Sequence, residues 1–291
     1  MSNLDFIRNA VNKAKNGTPS NKSSDDTMWK LEGDKAGNGM AVIRFLPAKD
    51  DESVPFVKVF SHGFQGPTSK WFIEDCPTTI GQNCPACEAN GVLWNSGKES
   101  DKEIVRKRKR RTAYVANILV VSDPKNPDND GKVMQFKFGQ KIFDKIIDKI
   151  NPPVDDKGNL IDPDDIPVNP FDPIEGANFK LKMRKLDGYA NFDKSEFGPI
   201  EEIGSKKDIA AIVSKLHDLS AYTNPSKFKT YDELSAKLSS AVGVLASVKA
   251  SNSQLEESAP PKSSAKATPS KDDDDDEDGM DYFKKLADED D

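Results

Sequence analysis

Residues 61–87 read S-H-G-F-Q-G-P-T-S-K-W-F-I-E-D-C-P-T-T-I-G-Q-N-C-P-A-C, and they hold all three cysteines of the chain and one of its two histidines. His62, Cys76, Cys84 and Cys87 follow the spacing His-x13-Cys-x7-Cys-x2-Cys. Three thiolates and one imidazole fill a tetrahedral zinc shell and leave no position open for water. The expected cofactor is therefore one Zn2+ with a structural role, held in a module over about residues 60–94. A disulfide framework would leave one cysteine odd. A thioredoxin-type C-x-x-C pair accounts for neither the third cysteine nor the histidine. The second histidine, His217, lies in I-V-S-K-L-H-D-L with no cysteine nearby and reads as an ordinary helical residue.

Outward from this module the chain is rich in short β-prone runs. M-A-V-I-R-F-L-P (40–47), P-F-V-K-V-F (55–60), K-W-F-I (70–73), R-T-A-Y-V-A-N-I-L-V-V (111–121), G-K-V-M-Q-F-K-F (131–138) and A-N-F-K-L-K-M-R-K-L (177–186) predict strands. K-I-F-D-K-I-I-D-K-I (141–150) puts Ile142, Phe143, Ile146, Ile147 and Ile150 on one helical face. Residues 151–175 form an acidic, proline-rich loop, and 205–250 read as two helices. The fold class expected is α+β: a small β-barrel with an inserted zinc-binding subdomain and appended helices.

The ends differ from this body. Residues 2–15 predict an amphipathic helix with Leu4, Ile7, Val11 and Ala14 in one stripe, followed by a Ser/Asn/Asp linker. The stripe needs a partner, either the chain's own core or, as favoured here, a neighbouring molecule. The division expected is an arm at 1–21, a core at 22–250 and a tail at 251–291. The tail carries 14 acidic and 5 basic residues, whereas the rest of the chain has a net charge of +2 against −7 for the whole. Its Ser/Ala/Pro/Lys composition predicts disorder, and Tyr282, Phe283 and Leu286 form an apolar nub in the acidic run, the pattern of a partner-binding motif.

The function classes narrow in the same way. No run of about 18 apolar residues exists, so no membrane span is expected. The N-terminus lacks the apolar stretch of an export signal, which points to the cytoplasm. No Gly-rich phosphate loop, nucleophile elbow or paired carboxylates in an ordered context occur, so no catalytic residues are expected. Six consecutive cations, Arg106, Lys107, Arg108, Lys109, Arg110 and Arg111, run directly into a strand and suit phosphate contact. Tyr114, Phe136, Lys137, Tyr189, Phe192 and Trp94 interleave aromatics with cations, the pairing that grips single strands by stacking on bases. Core packing is the competing account of each ring. Arg44, inside an apolar strand, is either paired in the core or aimed into the groove. A zinc-containing RNA-binding or site-specific regulatory protein is the alternative function.

Several stretches together resemble the single-stranded-DNA-binding proteins of T-even-type bacteriophages. They are W-K-L (29–31), A-G-N-G-M-A-V-I-R-F-L-P (36–47), H-G-F (62–64), K-W-F-I-E-D-C (70–76) and C-P-A-C (84–87). K-R-R-T-A-Y-V-A-N-I-L-V-V (109–121), F-K-F-G-Q-K-I-F-D-K-I (136–146) and E-G-A-N-F-K-L-K (175–182) complete the set. The resemblance implies an OB-fold core with a zinc subdomain and cooperative, sequence-tolerant binding of single-stranded DNA. It further implies self-association through the arm, and recruitment of phage replication, recombination and repair proteins by the acidic tail. The setting would be the cytoplasm of the infected bacterial host. It puts zinc ligands at His62, Cys76, Cys84 and Cys87, and DNA-contacting aromatics at Trp94, Tyr114, Phe136, Tyr189 and Phe192. The Lys-Arg-Lys-Ser-Thr run of the family's arm has no counterpart here, where Arg8, Lys13 and Lys15 are scattered.

Overall fold

The computed structural model describes residues 27–49, 54–186 and 188–243. The arm at 1–21, the tail at 251–291 and Tyr282, Phe283 and Leu286 lie outside them. The described chain is α+β. Its strands are β1 (Met28–Trp29), β2 (Gly39–Phe45), β3 (Phe56–Gln65), β4 (Trp71–Asp75), β5 (Arg111–Ser122), β6 (Val133–Phe138), β7 (Ala177–Leu186), β8 (Tyr189–Asn191) and β9 (Glu196–Ile200). Its helices are α1 (Pro85–Trp94), α2 (Glu99–Arg108), α3 (Gln140–Ile150), α4 (Lys206–Val213) and α5 (Tyr231–Val242).

The long β5 organises everything else. One edge pairs with β6 over Tyr114–Leu119. Its other edge is shared: β3 takes Arg111–Ala116 and β2 takes Ile118–Ser122, both antiparallel. The main path runs β1-β6-β5-β2-β7-β8, with β9 on β7 and the β3–β4 hairpin branching from β5. These pairings do not close the sheet on itself, so the barrel expected from the sequence is an open, branched sheet. Residues Ala113–Val120 are buried without a break, because β5 has neighbours on both edges and covered faces on both sides.

Two main clusters fill the interior. The larger gathers Phe45 against Phe138, Phe171 and Phe179 at centroid distances of 5.5, 5.6 and 5.7 Å. Helix α3 closes this core with buried Ile142 and Ile146, while Phe143 and Ile150 pack at its rim and Ile147 is exposed. The smaller gathers Phe64, Phe72, Cys76, Cys84 and Ala86 with Leu234, Leu238 and Ala241 of α5. Helix α5 is thus part of the cysteine module rather than an appendage of the sheet. It starts on a reciprocal cap, in which the Thr230 hydroxyl accepts from Glu233 N–H and the Glu233 carboxylate accepts from Thr230 N–H. Its end lies so close to Gly66 that a Cβ there would meet the Ala241 carbonyl at 2.0 Å. His217 lies beyond α4, which ends at Val213, and its ring nitrogen Nε2 is 3.0 Å from the Val133 carbonyl.

Candidate metal centre and nucleic-acid interface

The four metal-ligating residues come from three local structures. His62 lies on β3, whose register with β4 pairs it with Glu74. Cys76 follows β4 directly and is tied back by its N–H to the Phe60 carbonyl at 2.8 Å. A 3-10 turn at Pro77–Ile80 ends on Gly81 in the left-handed region, which a glycine adopts without strain, and this sends the chain back towards Cys84. Cys84 is the N-cap of α1 and Cys87 lies in its first turn, with Pro85 at N1.

Nε2 of His62 and the three Sγ atoms all lie within 4.8 Å of one another. The His62 Nε2 atom is 3.5 Å from Sγ of both Cys84 and Cys87, and Cys76 Sγ is 3.6 Å from Cys87 Sγ. Tetrahedral zinc, with bonds of about 2.3 Å to sulfur and 2.0 Å to nitrogen, sets its ligand atoms about 3.5–3.8 Å apart. The residues therefore fit the metal. The four groups are also linked through shared protons. Burial lowers the His62 pKa, but hydrogen bonding to the neighbouring thiols outweighs it and the net value rises to about 9. Hydrogen bonds within the cluster push Cys76 down and Cys87 up. A divalent ion bound among these four groups would take the place of the protons held there, releasing them as it binds. The ion would contribute folding free energy and no chemistry.

The basic run divides between two elements. Arg106, Lys107 and Arg108 form the last turn of α2, where cations complement the helix dipole, and Lys109 is its C-cap. Arg106 also pairs with Glu99 at 2.7 Å. The Arg108 guanidinium, its pKa lowered by burial, sits 5.5 Å over the Phe64 ring. Arg110 lies 4.0 Å over Phe60 and donates to the Thr78 hydroxyl at 2.9 Å. That hydroxyl is 3.1 Å from Cys76 Sγ, so the cationic surface reaches the metal centre through one threonine. Arg111 opens β5.

The aromatic candidates separate by exposure. Trp94, at the end of α1, is 47% exposed with Lys102 Nζ 5.7 Å from its ring, and Tyr189 on β8 is 60% exposed. Phe192 is half-buried at the edge of the main core. Tyr114 is only 2% exposed, stacked on Phe143 at 3.8 Å, and donates its hydroxyl to Gln140 Oε1. Phe136 is 5% exposed against Trp29. These two rings belong to the core here, because β5 and β6 are covered on the faces that carry them. Arg44 is corrected likewise: it is fully buried and donates to the carbonyl oxygens of Asp172 and Glu201 at 2.8 and 2.9 Å. It fastens the 151–175 loop and the segment after β9 to β2 and does not reach a groove.

Sequence reasoning missed one feature. Val59 and Phe60 of β3, Val115 of β5, Lys137 of β6, Asp75 and Thr79 line a cleft with Tyr222, Lys227 and Phe228. Phe60 lies at this boundary with Arg110 on its face and Lys58 Nζ 5.4 Å from its ring. The segment Leu219–Phe228 carried no pattern signal, because it consists of short 3-10 turns capped by Asp218 and Asn224.

Residues 37–242 match the family described as gp32 DNA binding protein like. The single-stranded DNA-binding protein of Enterobacteria phage T2 is 42% identical over 229 residues, covering 77% of this chain and 72% of that protein. The corresponding protein of Enterobacteria phage T4 is 40% identical over 235 residues, covering 78% and 74%. A third, from Enterobacteria phage RB70, is 44% identical over 94 residues, or 32% of this chain and 78% of its own.

Proposed function

Because the chain belongs to the gp32-like family of DNA-binding proteins, we propose that it coats single-stranded DNA during phage replication without strong sequence preference. The observation that carries this reading is the junction at Arg110, where the basic run meets an aromatic ring beside the cysteine module. Cations along α2 and β5 take the phosphates, and the accessible rings take unstacked bases. No turnover is needed. A protein that binds single strands and not duplex shifts duplex melting by mass action alone.

The finer parts of the proposal follow from the family and the sequence. The main sheet is an OB-type core; the edge of β5, divided between β3 and β2, supports this, since OB sheets are bent and only partly closed. One Zn2+ is held by His62, Cys76, Cys84 and Cys87. Residues 1–21 mediate cooperative contact with the next copy on the strand, and the acidic tail from 251 recruits replication, recombination and repair proteins in the host cytoplasm.

A fluorescence titration with poly(dT) of two lengths, repeated with duplex DNA and with RNA over a salt series, tests the function. Tight, salt-sensitive binding to poly(dT), with higher affinity per site on the longer lattice and little affinity for duplex, is expected. Preference for a particular RNA or duplex site would overturn it in favour of the regulatory reading.

A further inference from the structure

We infer that the cleft between β3, β5, β6 and the Leu219–Phe228 segment is a subsite for one unstacked base of the bound strand. This rests on the single-strand reading above and adds a defined position to it. The cleft is narrow and open at its mouth, with about 40 Å³ inside, and so takes the edge of a single planar ring rather than a helix or strand.

The chemistry of the lining favours a base. Phe60, Tyr222 and Phe228 supply aromatic walls, while Val59 and Val115 supply an apolar floor. Tyr222 is pre-positioned: its hydroxyl donates to Gln135 Oε1 at 2.9 Å and Lys227 Nζ sits 4.6 Å from its ring. Lys137 and Lys227 flank the lining, within reach of the phosphates on either side of an inserted nucleotide. Asp75, the one acidic residue in the lining, faces Lys227 at 3.6 Å. A carboxylate there repels a phosphate from the interior and accepts from the N–H groups of a base edge. An acidic peptide, the other ligand drawn to such cations, would meet that carboxylate without benefit.

The cleft wall also hangs from the cysteine module. Asp75 directly precedes Cys76, and its neighbour Glu74 takes ion pairs from both Lys229 and Lys237. Phe228 lies between the Lys227 and Lys229 anchors, so the metal centre sets how far this wall stands from the sheet.

Two measurements on the full-length, metal-loaded protein test the subsite. In the first, short oligo(dT) carrying one 5-iododeoxyuridine is irradiated on the protein and adducts are mapped by mass spectrometry. Adducts on Tyr222, Phe228 or Phe60 are expected, and adducts confined to other residues would overturn the proposal. In the second, Phe228→Ala is expected to lose roughly five- to hundred-fold in affinity with an unchanged salt slope, the range for one stacked base. Lys227→Ala, at an exposed position that does not threaten folding, should reduce the slope by about 0.7. Normal binding by both Phe228→Ala and Lys227→Ala would remove the subsite while leaving single-strand binding intact. Failure of the wild-type protein to bind oligo(dT) at all would instead remove the function on which the subsite depends.

Discussion

Around Phe45 the main sheet assembles Phe138, Phe171 and Phe179, whereas around Phe72 the cysteine module has only Phe64, two buried thiols, Ala86 and one face of α5. The first region has enough apolar surface to hold itself together. The second is too small for that, as domains of a few dozen residues generally are, and would rely on a metal cross-link at its centre. The contrast bears on where stability would reside: dispersed over many ring contacts in one region, and concentrated in the four ligand bonds of a bound metal in the other. It also explains why α5, far away in sequence, is recruited to the module. Leu234 and Leu238 provide apolar cover that the hairpin and α1 cannot provide for themselves.

The strongest way to break the comparison is to remove the metal, whose binding to small structural sites is worth on the order of 10–16 kcal/mol. Chelation, or Cys84→Ser, should abolish hydrogen-exchange protection at Phe72, Leu234 and Leu238 and preserve it at Val115 and Ile118. Equal loss in both sets would mean one cooperative unit instead of two. On the opposite side, Arg44→Met strands the buried carbonyls of Asp172 and Glu201, so a loss of roughly 2–4 kcal/mol in denaturant unfolding is expected. The salt slope of DNA binding should not change, and a flatter slope would return Arg44 to the groove. Gly66→Ala pushes against the Ala241 carbonyl and should destabilise the module alone, by about 1–3 kcal/mol. An unaltered module melting point would show that α5 can shift away freely.

The smallest effect sharpens the same boundary. Thr230→Ala removes the cap of α5 at a cost of about 1 kcal/mol. The Thr230 N–H and, after it, the Thr230 hydroxyl hold the Glu233 carboxyl below its ordinary pKa, and alanine removes the hydroxyl's share. A depressed carboxyl contributes stability above its unfolded pKa, and the contribution is lost as pH falls through the folded value. The difference between wild type and Thr230→Ala should therefore be full near neutrality and shrink in acid. A difference independent of pH would separate the two halves of the cap.

The sheet was legible because strands with continuous β-branched and aromatic runs announce themselves. The stretch 111–121 became β5 at Arg111–Ser122, and 177–186 became β7 over the same residues. Strand β3 runs five residues beyond its predicted end, so that His62 is strand-borne. Helices α1 and α2 carry no helical signal in the sequence of the zinc module and the basic run, because ligand spacing and charge mask their periodicity. The cysteine–histidine cluster was legible: type and spacing single out four chemically distinctive residues, and the structure brings them together. The nucleic-acid face was less so. Aromatic type does not reveal exposure, and Tyr114 and Trp94 look alike in sequence but differ entirely in accessibility. Tyr222 and Phe228 carried no signal, since their role comes from a tertiary meeting with β3 and β6.

The divided edge of β5 has a consequence for how such a chain can vary over generations. Its first half is in register with β3 and its second half with β2, while β6 spans the junction. A single-residue insertion within Arg111–Ser122 would turn side chains inside out along one strand that serves both the aromatic core and the hairpin bearing His62. The turn between Ser122 and Val133 meets the core only where buried Asp123 accepts from Trp29 Nε1, and its later residues lie at the surface. Length changes should therefore accumulate among descendants in that turn and be absent from β5, leaving the strand as the fixed ruler against which both halves of the protein are measured.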